Sequence, residues 1–244
     1  MIRENINGVS YIQYGKGQDI VLLHGWGQNI EMMKPLGDPL SDNYRITIID
    51  FPGFGQSNEP DSDWTITDYV SMLEKLFKDL NIKKPILIGH SFGGRVAIKY
   101  ASKNEVTKLI LLASPCVRIK DSTRDLKTKV LKSIKKLPGM NKIGEYAKNF
   151  IGSRDYKAAS PRMRQILVNT VNEDLTEDAK KIKIPTLLIW GDMDDEATLE
   201  EGKMLEKLLL DGGLVVLNGC THYAYLEALP RVLSIINVFL GGEK

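Results

Sequence analysis

The sequence predicts an α/β fold, in which a mainly parallel sheet of eight strands has helices on both faces and carries a small helical cap. Two observations predict this class. Apolar runs of strand length alternate with segments of helical periodicity, as expected for a parallel sheet buried on both faces. In addition, the apolar run Ile86–Ile88 enters a glycine-flanked turn around Ser91 and continues into a helix-like segment, Arg95–Ala101.

The strands are predicted from short runs rich in branched and aromatic residues. Asn7-Gly8 between the first two runs is a strong hairpin signal, and the later runs are continuously apolar, as in buried parallel strands. The eight predicted strands are 2–6, 9–14, 20–23, 45–51, 86–88, 108–114, 186–191 and 214–217.

The helices are predicted from apolar residues that recur on one helical face. One helix is expected over 29–41, although Pro35 and Pro39 interrupt its pattern. Ile66, Val70, Leu73, Phe77 and Leu80 define the next helix, and 229–240 forms the last.

One segment, 116–183, breaks the alternation because it contains helical patches and no strand. Apolar stripes predict helices over 126–137 and 143–150, and Ser160-Pro161 predicts the start of a third helix that ends near Val171. We therefore expect residues 1–115 and 184–244 to form the core and 116–183 to form an inserted helical cap over the carboxyl edge of the sheet.

The charge of the predicted cap differs from that of the core. Residues 116–183 carry 17 basic and 8 acidic side chains, a net charge of +9, whereas the remainder carries 16 basic and 23 acidic side chains, a net charge of −7. The lysines either solvate the outer faces of the cap helices or attract an acidic substrate or carrier protein through a long-range field. No nucleic-acid motif accompanies the charge, so a nucleic-acid partner is not expected.

Composition indicates an ordinary soluble protein with 43% hydrophobic and 26% charged residues among 244, and a net charge of +2. No apolar run reaches the roughly 18 residues of a membrane span, and the first residues lack the apolar core of a signal peptide. Two cysteines, Cys116 and Cys220, make a poor disulfide framework and a poor metal site. A cytoplasmic protein without a metal is the simplest expectation.

The turn Gly89-His90-Ser91-Phe92-Gly93 is a G-x-S-x-G motif between a strand and a helix. Its glycines lie where the strand and the helix approach too closely for a Cβ atom. The motif predicts Ser91 as a nucleophile, provided that a base and an oxyanion site lie nearby.

The base must be a neutral imidazole, and the chain has three histidines. His24 precedes a glycine loop, and His90 lies inside the turn beside the nucleophile. His222 follows the last strand and precedes the last helix, so its loop should lie over the same sheet edge as Ser91. His222 is therefore the predicted base.

A carboxylate that orients the imidazole is expected after the preceding strand. Asp194 lies three residues past Gly191 and 28 residues before His222, which makes it the predicted orienting residue, with Asp192 as the alternative. The loop after Gly191 contains four candidates: Asp192, Asp194, Asp195 and Glu196.

The oxyanion of a tetrahedral intermediate needs backbone amide donors. The N–H of Phe92, which follows the nucleophile, is one predicted donor. The other is the N–H of Trp26, in the loop after the strand that ends at Leu23.

At these residues the sequence resembles the α/β-hydrolase family, over the whole chain except the cap. The resemblance implies a triad of Ser91, Asp194 and His222, an oxyanion hole formed by the amides of Trp26 and Phe92, and no cofactor. The matching landmarks, in order, are His24-Gly25-Trp26-Gly27, Asp50 to Ser57, Gly89 to Gly93, Trp190 to Asp194, and His222. In the family, the turn at 50–57 is mostly structural.

Two of these landmarks, His24 to Asn29 and Asp50 to Ser57, also look like those of the pimeloyl-acyl-carrier-protein methyl ester esterases. Many carboxylesterases share such short matches. Carriers of this kind are acidic, which would suit a basic cap.

The predicted function is a serine esterase acting on a small or acyl-chain carboxylic ester. The same residues could cleave a thioester or a carbon–carbon bond, and the cap pocket would decide between these substrates. A ligand-binding protein with weak or absent catalysis is the alternative of another class. Dehalogenase and epoxide hydrolase activities are disfavoured because they need a carboxylate at position 91.

Overall fold

A computed structural model describes residues 2–116 and 159–241 of the chain. Within these residues, eight strands form one sheet in the order β1-β2-β4-β3-β5-β6-β7-β8. The first two strands and β4 pair in antiparallel fashion, and all the other pairs are parallel. The strands are β1 (Glu4–Ile6), β2 (Val9–Gly15), β3 (Gln18–Leu23), β4 (Tyr44–Ile49), β5 (Ile86–His90), β6 (Lys108–Leu112), β7 (Thr186–Gly191) and β8 (Gly212–Leu217).

The helices alternate with the strands from β3 onward. The described helices are α1 (Ile30–Leu40), α2 (Ile66–Asp79), α3 (Phe92–Ala101), α4 (Pro161–Asn172), α5 (Thr176–Ala179), α6 (Leu199–Leu208), α7 (Ala224–Glu227) and α8 (Leu229–Leu240). This mostly parallel arrangement confirms the predicted fold class.

Two apolar cores lie on the two faces of the sheet because successive strand side chains point in opposite directions. Val21 and Leu23 of β3 pack in the core that contains buried residues of α2, α3 and α6. Ile20 and Leu22 pack in the other core, with residues of α1 and α8. The six parallel strands, β3 to β8, have their carboxyl ends at one edge of the sheet, where a site can form.

Most of the predicted cap, residues 117–158, lies outside the described residues, including the helices predicted over 126–137 and 143–150. The helix predicted to begin at Ser160-Pro161 is confirmed as α4. The hydroxyl of Ser160 accepts a hydrogen bond from Met163 N at 3.1 Å, and Pro161 occupies the first turn, as the sequence indicates.

Helix α6 was not predicted, because its apolar face is short and Gly202 lies in its middle. A Cβ atom at Gly202 would lie 2.9 Å from the indole of Trp190, so the helix needs glycine to pack on β7. The capping box of Thr198 and Glu201 is the local signal that marks its start.

Candidate active site

Ser91 occupies the turn between β5 and α3 in a conformation that few residues adopt. Its φ of 49° and ψ of −112° are unusual for a residue with a side chain. Its N–H donates to Leu112 O at 2.9 Å, which ties the turn to β6. A Cβ atom at Gly89 would lie 2.6 Å from the backbone of Gly94, so the close approach of strand and helix requires glycine. The turn thus holds half-buried Ser91 at the carboxyl end of β5.

His222 and Asp194 lie together at the same edge, after β8 and β7. His222 Nδ1 is 2.8 Å from Asp194 Oδ2, and both side chains are buried. The other oxygen, Oδ1, accepts hydrogen bonds from the N–H groups of Glu196 and Ala197, each at 2.8 Å. Since a carboxylate can only accept, the proton of neutral His222 lies on Nδ1. The lone pair on Nε2 is then available to take a proton.

The alternative carboxylate, Asp192, lies elsewhere in the loop. It is exposed, and its Oδ1 accepts the N–H of Gly219 at 2.7 Å. No hydrogen bond between Asp192 and His222 occurs in the described part of the chain. The geometry therefore favours Asp194 as the partner of the imidazole.

Ser91 and His222 lie on adjacent loops. The ring of His90, the residue before Ser91, is 4.9 Å from the ring of His222, and His90 Nε2 is 3.0 Å from His222 O. Among residues 2–116 and 159–241, no hydrogen bond joins the Ser91 hydroxyl to His222. Such hydrogen bonds are often long or poorly aligned without substrate and shorten when it binds.

The amides of Trp26 and Phe92 come from two segments in contact. The two side-chain rings lie 5.4 Å apart, and a Cβ atom at Gly93 would lie 2.2 Å from Leu23 O, so the start of α3 packs on the end of β3. Phe92 is the first residue of α3 and has no acceptor within the helix. Neither N–H donates to an acceptor in the described residues, which leaves both able to bind an oxyanion.

His24 has a structural role beside this site. Its Nε2 accepts the N–H of Phe51 at 3.0 Å, and its Nδ1 lies 2.7 Å from Gly25 O. Burial lowers the pKa of His24 to about 4, so the ring is neutral near pH 7. The neutral ring ties the loop after β3 to the loop after β4.

The loop after β4 is held in turn by Asp50, which is fully buried. Its carboxylate accepts the N–H groups of Ile30 and Gln56, each at 2.8 Å, and pairs with Arg3 at 2.6 Å. These contacts fit the structural role that the resemblance implies for the turn at 50–57.

His90 makes a contact with His222 that the sequence did not predict. The ring is fully buried, and its Nε2–H donates to the carbonyl of His222. Burial, with a smaller effect of the neighbouring His222, lowers the pKa of His90 to about 3. Its Nδ1 has no partner in the described residues and lies 2.8 Å from where a Cβ atom at Gly25 would be. Thus His90 joins the turn of Ser91 to the loop of His222.

Glu196, one of the four acidic residues in the loop after β7, makes a second contact with His222 that the sequence did not predict. Its Oε2 lies 3.8 Å from Nε2 of His222, on the opposite side of the ring from Asp194. The side chain is 67% exposed. The contact joins the loop after β7 to the loop after β8, so it is seen only in the three-dimensional structure.

Arg95 of α3 contacts residues near both ends of the segment between β6 and α5. It is 7% exposed and donates to the carbonyls of Pro115 at 2.5 Å and Thr170 at 3.2 Å, and also to the carbonyl of Glu173. The helix that begins after Ser91 therefore holds both ends of this segment.

Neither a metal site nor a membrane-spanning helix is found in the described ranges. No group of three or more histidine, cysteine, aspartate or glutamate side chains there could hold a metal ion. No helix there is long and apolar enough to cross a bilayer. The arrangement in hand is one of a serine, an imidazole, a carboxylate and free amides, which is a set of groups for acyl transfer.

Comparison with known proteins adds a family match. The family model described as "Alpha/beta hydrolase family" matches residues 20–234. The chain is 24% identical to a pimeloyl-[acyl-carrier protein] methyl ester esterase of Aliivibrio fischeri (93% of this chain, 95% of the relative). It is 29% identical to a proline iminopeptidase of Saccharolobus solfataricus (97% and 89%). A bromoperoxidase structure from Bacillus anthracis superposes with a TM-score of 0.77 at 22% identity (96% and 95%).

Proposed function

Because the chain belongs to the alpha/beta hydrolase family, we propose that it is a serine hydrolase that cleaves carboxylic esters through Ser91, His222 and Asp194. The observation that carries the proposal is the 2.8 Å contact between His222 Nδ1 and Asp194 Oδ2. That carboxylate is fixed by two amides and lies at the same sheet edge as Ser91.

The reaction follows from this arrangement in two stages. In the first, Ser91 Oγ attacks the ester carbonyl while its proton passes to His222 Nε2, and the amides of Trp26 and Phe92 bind the oxyanion. Collapse of this intermediate breaks the bond to the alcohol, which takes the proton from His222 and leaves an acyl-serine. In the second stage, a water molecule gives its proton to His222 and attacks the acyl carbon, releasing the acid and restoring Ser91.

Asp194 holds His222 in the tautomer that this sequence of proton transfers requires and offsets the charge of the imidazolium. No cofactor takes part in any step of the proposal.

An ester is favoured over other acyl substrates by the resemblance to the methyl ester esterase. The peptidase relative shows that other bonds occur in the family, and a thioester or a carbon–carbon bond is the second candidate for the same residues. A ligand-binding protein without catalysis is the candidate of another class, and the pairing of His222 with Asp194 at the sheet edge of Ser91 argues against it.

The proposal divides the chain into a core, 1–115 and 184–244, and an inserted cap, 116–183, that covers the acyl substrate. Arg95 donates to the carbonyl of Pro115, the last core residue before the cap, and to that of Glu173, near the other end of the cap, as expected when an insertion leaves and rejoins the core at one place.

Both cysteines are free thiols, which supports a reduced, cytoplasmic setting.

An acidic acyl carrier is the proposed macromolecular partner, supported by the net charge of +9 on residues 116–183 and by the named substrate of the relative. Turnover of a carrier-linked ester should then fall as salt rises from about 50 mM to 500 mM, while that of a neutral small ester should change little. Equal salt responses for the two substrates would remove the carrier from the proposal.

The test of the main proposal is a panel of p-nitrophenyl esters of increasing chain length, with wild type and Ser91→Ala. We expect burst release of p-nitrophenol by wild type and a loss of at least about 10³-fold in Ser91→Ala, with the melting temperature kept. Equal hydrolysis by both proteins would show that Ser91 is not the nucleophile. Binding of the esters without turnover would favour the ligand-binding alternative.

A further inference from the structure

We propose that Glu196 sets the charge preference for the leaving group, so that esters of cationic alcohols are cleaved faster than neutral or anionic esters of the same size. The inference rests on the proposed function, because it concerns the group that leaves when Ser91 is acylated. It names a substrate class that neither the fold nor the triad specifies.

The position of Glu196 relative to the imidazole is the first step. Glu196 Oε2 lies 3.8 Å from His222 Nε2, the nitrogen that must protonate the leaving oxygen. That oxygen must come within about 3 Å of Nε2 when the bond breaks. The carboxylate then lies within about 7 Å of the leaving oxygen and nearer still to substituents that extend from it in the direction of Glu196.

The backbone of Glu196 is fixed although its side chain is exposed. Its N–H donates to Asp194 Oδ1 at 2.8 Å, so the residue is tied to the carboxylate that orients the base. His222 is the one ion-pair partner of Glu196 within the described ranges. Its negative charge is therefore not paired with a lysine or arginine in those ranges, and it lies 3.8 Å from the nitrogen that the leaving oxygen must approach.

The size of the effect follows from Coulomb's law in a partly solvated site. For two opposite charges about 6–7 Å apart and an effective dielectric constant of about 40 to 80, the attraction raises the rate for the cationic ester roughly threefold to tenfold over that for the neutral ester. A leaving group with a negative charge is disfavoured by a similar factor. Salt should weaken both preferences, since the carboxylate is exposed.

The experiment compares matched esters whose acyl group is the one best hydrolysed in the p-nitrophenyl panel. The choline ester carries a quaternary ammonium, and the 3,3-dimethylbutyl ester is its neutral isostere. The measured quantity is the ratio of kcat/KM for the cationic ester to that for the neutral one, in wild type, in Glu196→Gln and in the control variant Asp195→Asn. Asp195 is exposed and lies next to Glu196, so it controls for the general acidity of the loop.

We expect the ratio to fall about threefold to tenfold in Glu196→Gln and to change by less than twofold in Asp195→Asn. An unchanged ratio in Glu196→Gln, or equal falls in the two variants, would overturn the inference while leaving the esterase proposal intact. Hydrolysis of the neutral ester that survives Ser91→Ala would instead overturn the proposed function. Absence of turnover with every ester in the panel would overturn both.

Discussion

Asp194→Asn should abolish most of the turnover while leaving the fold in place, because of how the carboxylate is held. Oδ1 accepts two backbone N–H groups, from Glu196 and Ala197, so an asparagine must place its carbonyl oxygen there. Its NH₂ group then faces His222 Nδ1 in the position of Oδ2. Because an amide nitrogen donates, Nδ1 becomes the acceptor and the ring proton moves to Nε2.

An imidazole protonated on Nε2 cannot accept the proton of Ser91. By comparison with the same change in another triad, kcat should fall about 10⁴-fold, which corresponds to about 5 kcal/mol of transition-state stabilisation. The assay is steady-state hydrolysis of the best p-nitrophenyl ester, with thermal unfolding as the check on folding. Both amide hydrogen bonds to Oδ1 are kept in the variant, so the melting temperature should change little.

The matched control is Asp192→Asn, in the same loop, whose carboxylate accepts only the N–H of Gly219 among the described residues. We expect its kcat to stay within about threefold of wild type, since its hydrogen bond is exposed. A loss below tenfold in Asp194→Asn, or a comparable loss in Asp192→Asn, would refute the assignment of Asp194 as the residue that orients the base.

Two further predictions concern the buried histidines. In His90→Gln the side-chain N–H can reach the carbonyl of His222, whereas in His90→Asn the side chain ends near the position of Nδ1. We therefore expect kcat to fall about tenfold in His90→Asn and to stay near the wild-type value in His90→Gln, with KM unchanged in both. Equal kcat values in the two variants would contradict this role of His90. The free energy of unfolding should fall as the pH drops from 7 to 5, because the unfolded histidines gain protons while the folded rings of His24 and His90, with a pKa of about 4 and about 3, stay neutral. Each of the two histidines contributes a loss of about 2 kcal/mol, which urea titration at the two pH values measures. His90→Gln should therefore halve the total loss, and a total loss equal to that of wild type would count against a buried neutral ring at position 90.

Much of the fold could be predicted because its signals are local and mutually consistent. Continuous apolar runs such as Ile20–Leu23 and Thr186–Gly191 are typical of strands buried on both faces of a parallel sheet, and the structure places each of them between two neighbouring strands. Helix α6 has no such signal, since Gly202 lowers its helical propensity and is explained only by the indole of Trp190 against it. A packing contact between β7 and the next element of the chain explains the glycine in that helix.

For the site as well, some features could be predicted from the sequence and others only seen in the structure. Parallel strands share a carboxyl edge, so residues that follow β5, β7 and β8 had to lie near one another, and the order Ser91, Asp194, His222 could be inferred. The choice between Asp194 and Asp192 depends on the direction of each side chain, which spacing only suggests. The contacts of His90 and Glu196 with His222 depend on side-chain packing across loops, and nothing in the local sequence indicates them.

The charges around His222 fit a base that becomes an imidazolium during the proposed reaction. Two carboxylates, those of Asp194 and Glu196, lie at its two nitrogens, while the nearest other imidazole is that of His90, with ring centroids 4.9 Å apart. A charged His90 would oppose the protonation of His222 by like-charge repulsion at that distance. Full burial keeps the pKa of His90 at about 3, so the ring can donate to the carbonyl of His222 without carrying a charge. Burial of that side chain therefore allows His90 to contact the proposed base, His222, without competing with it for the proton.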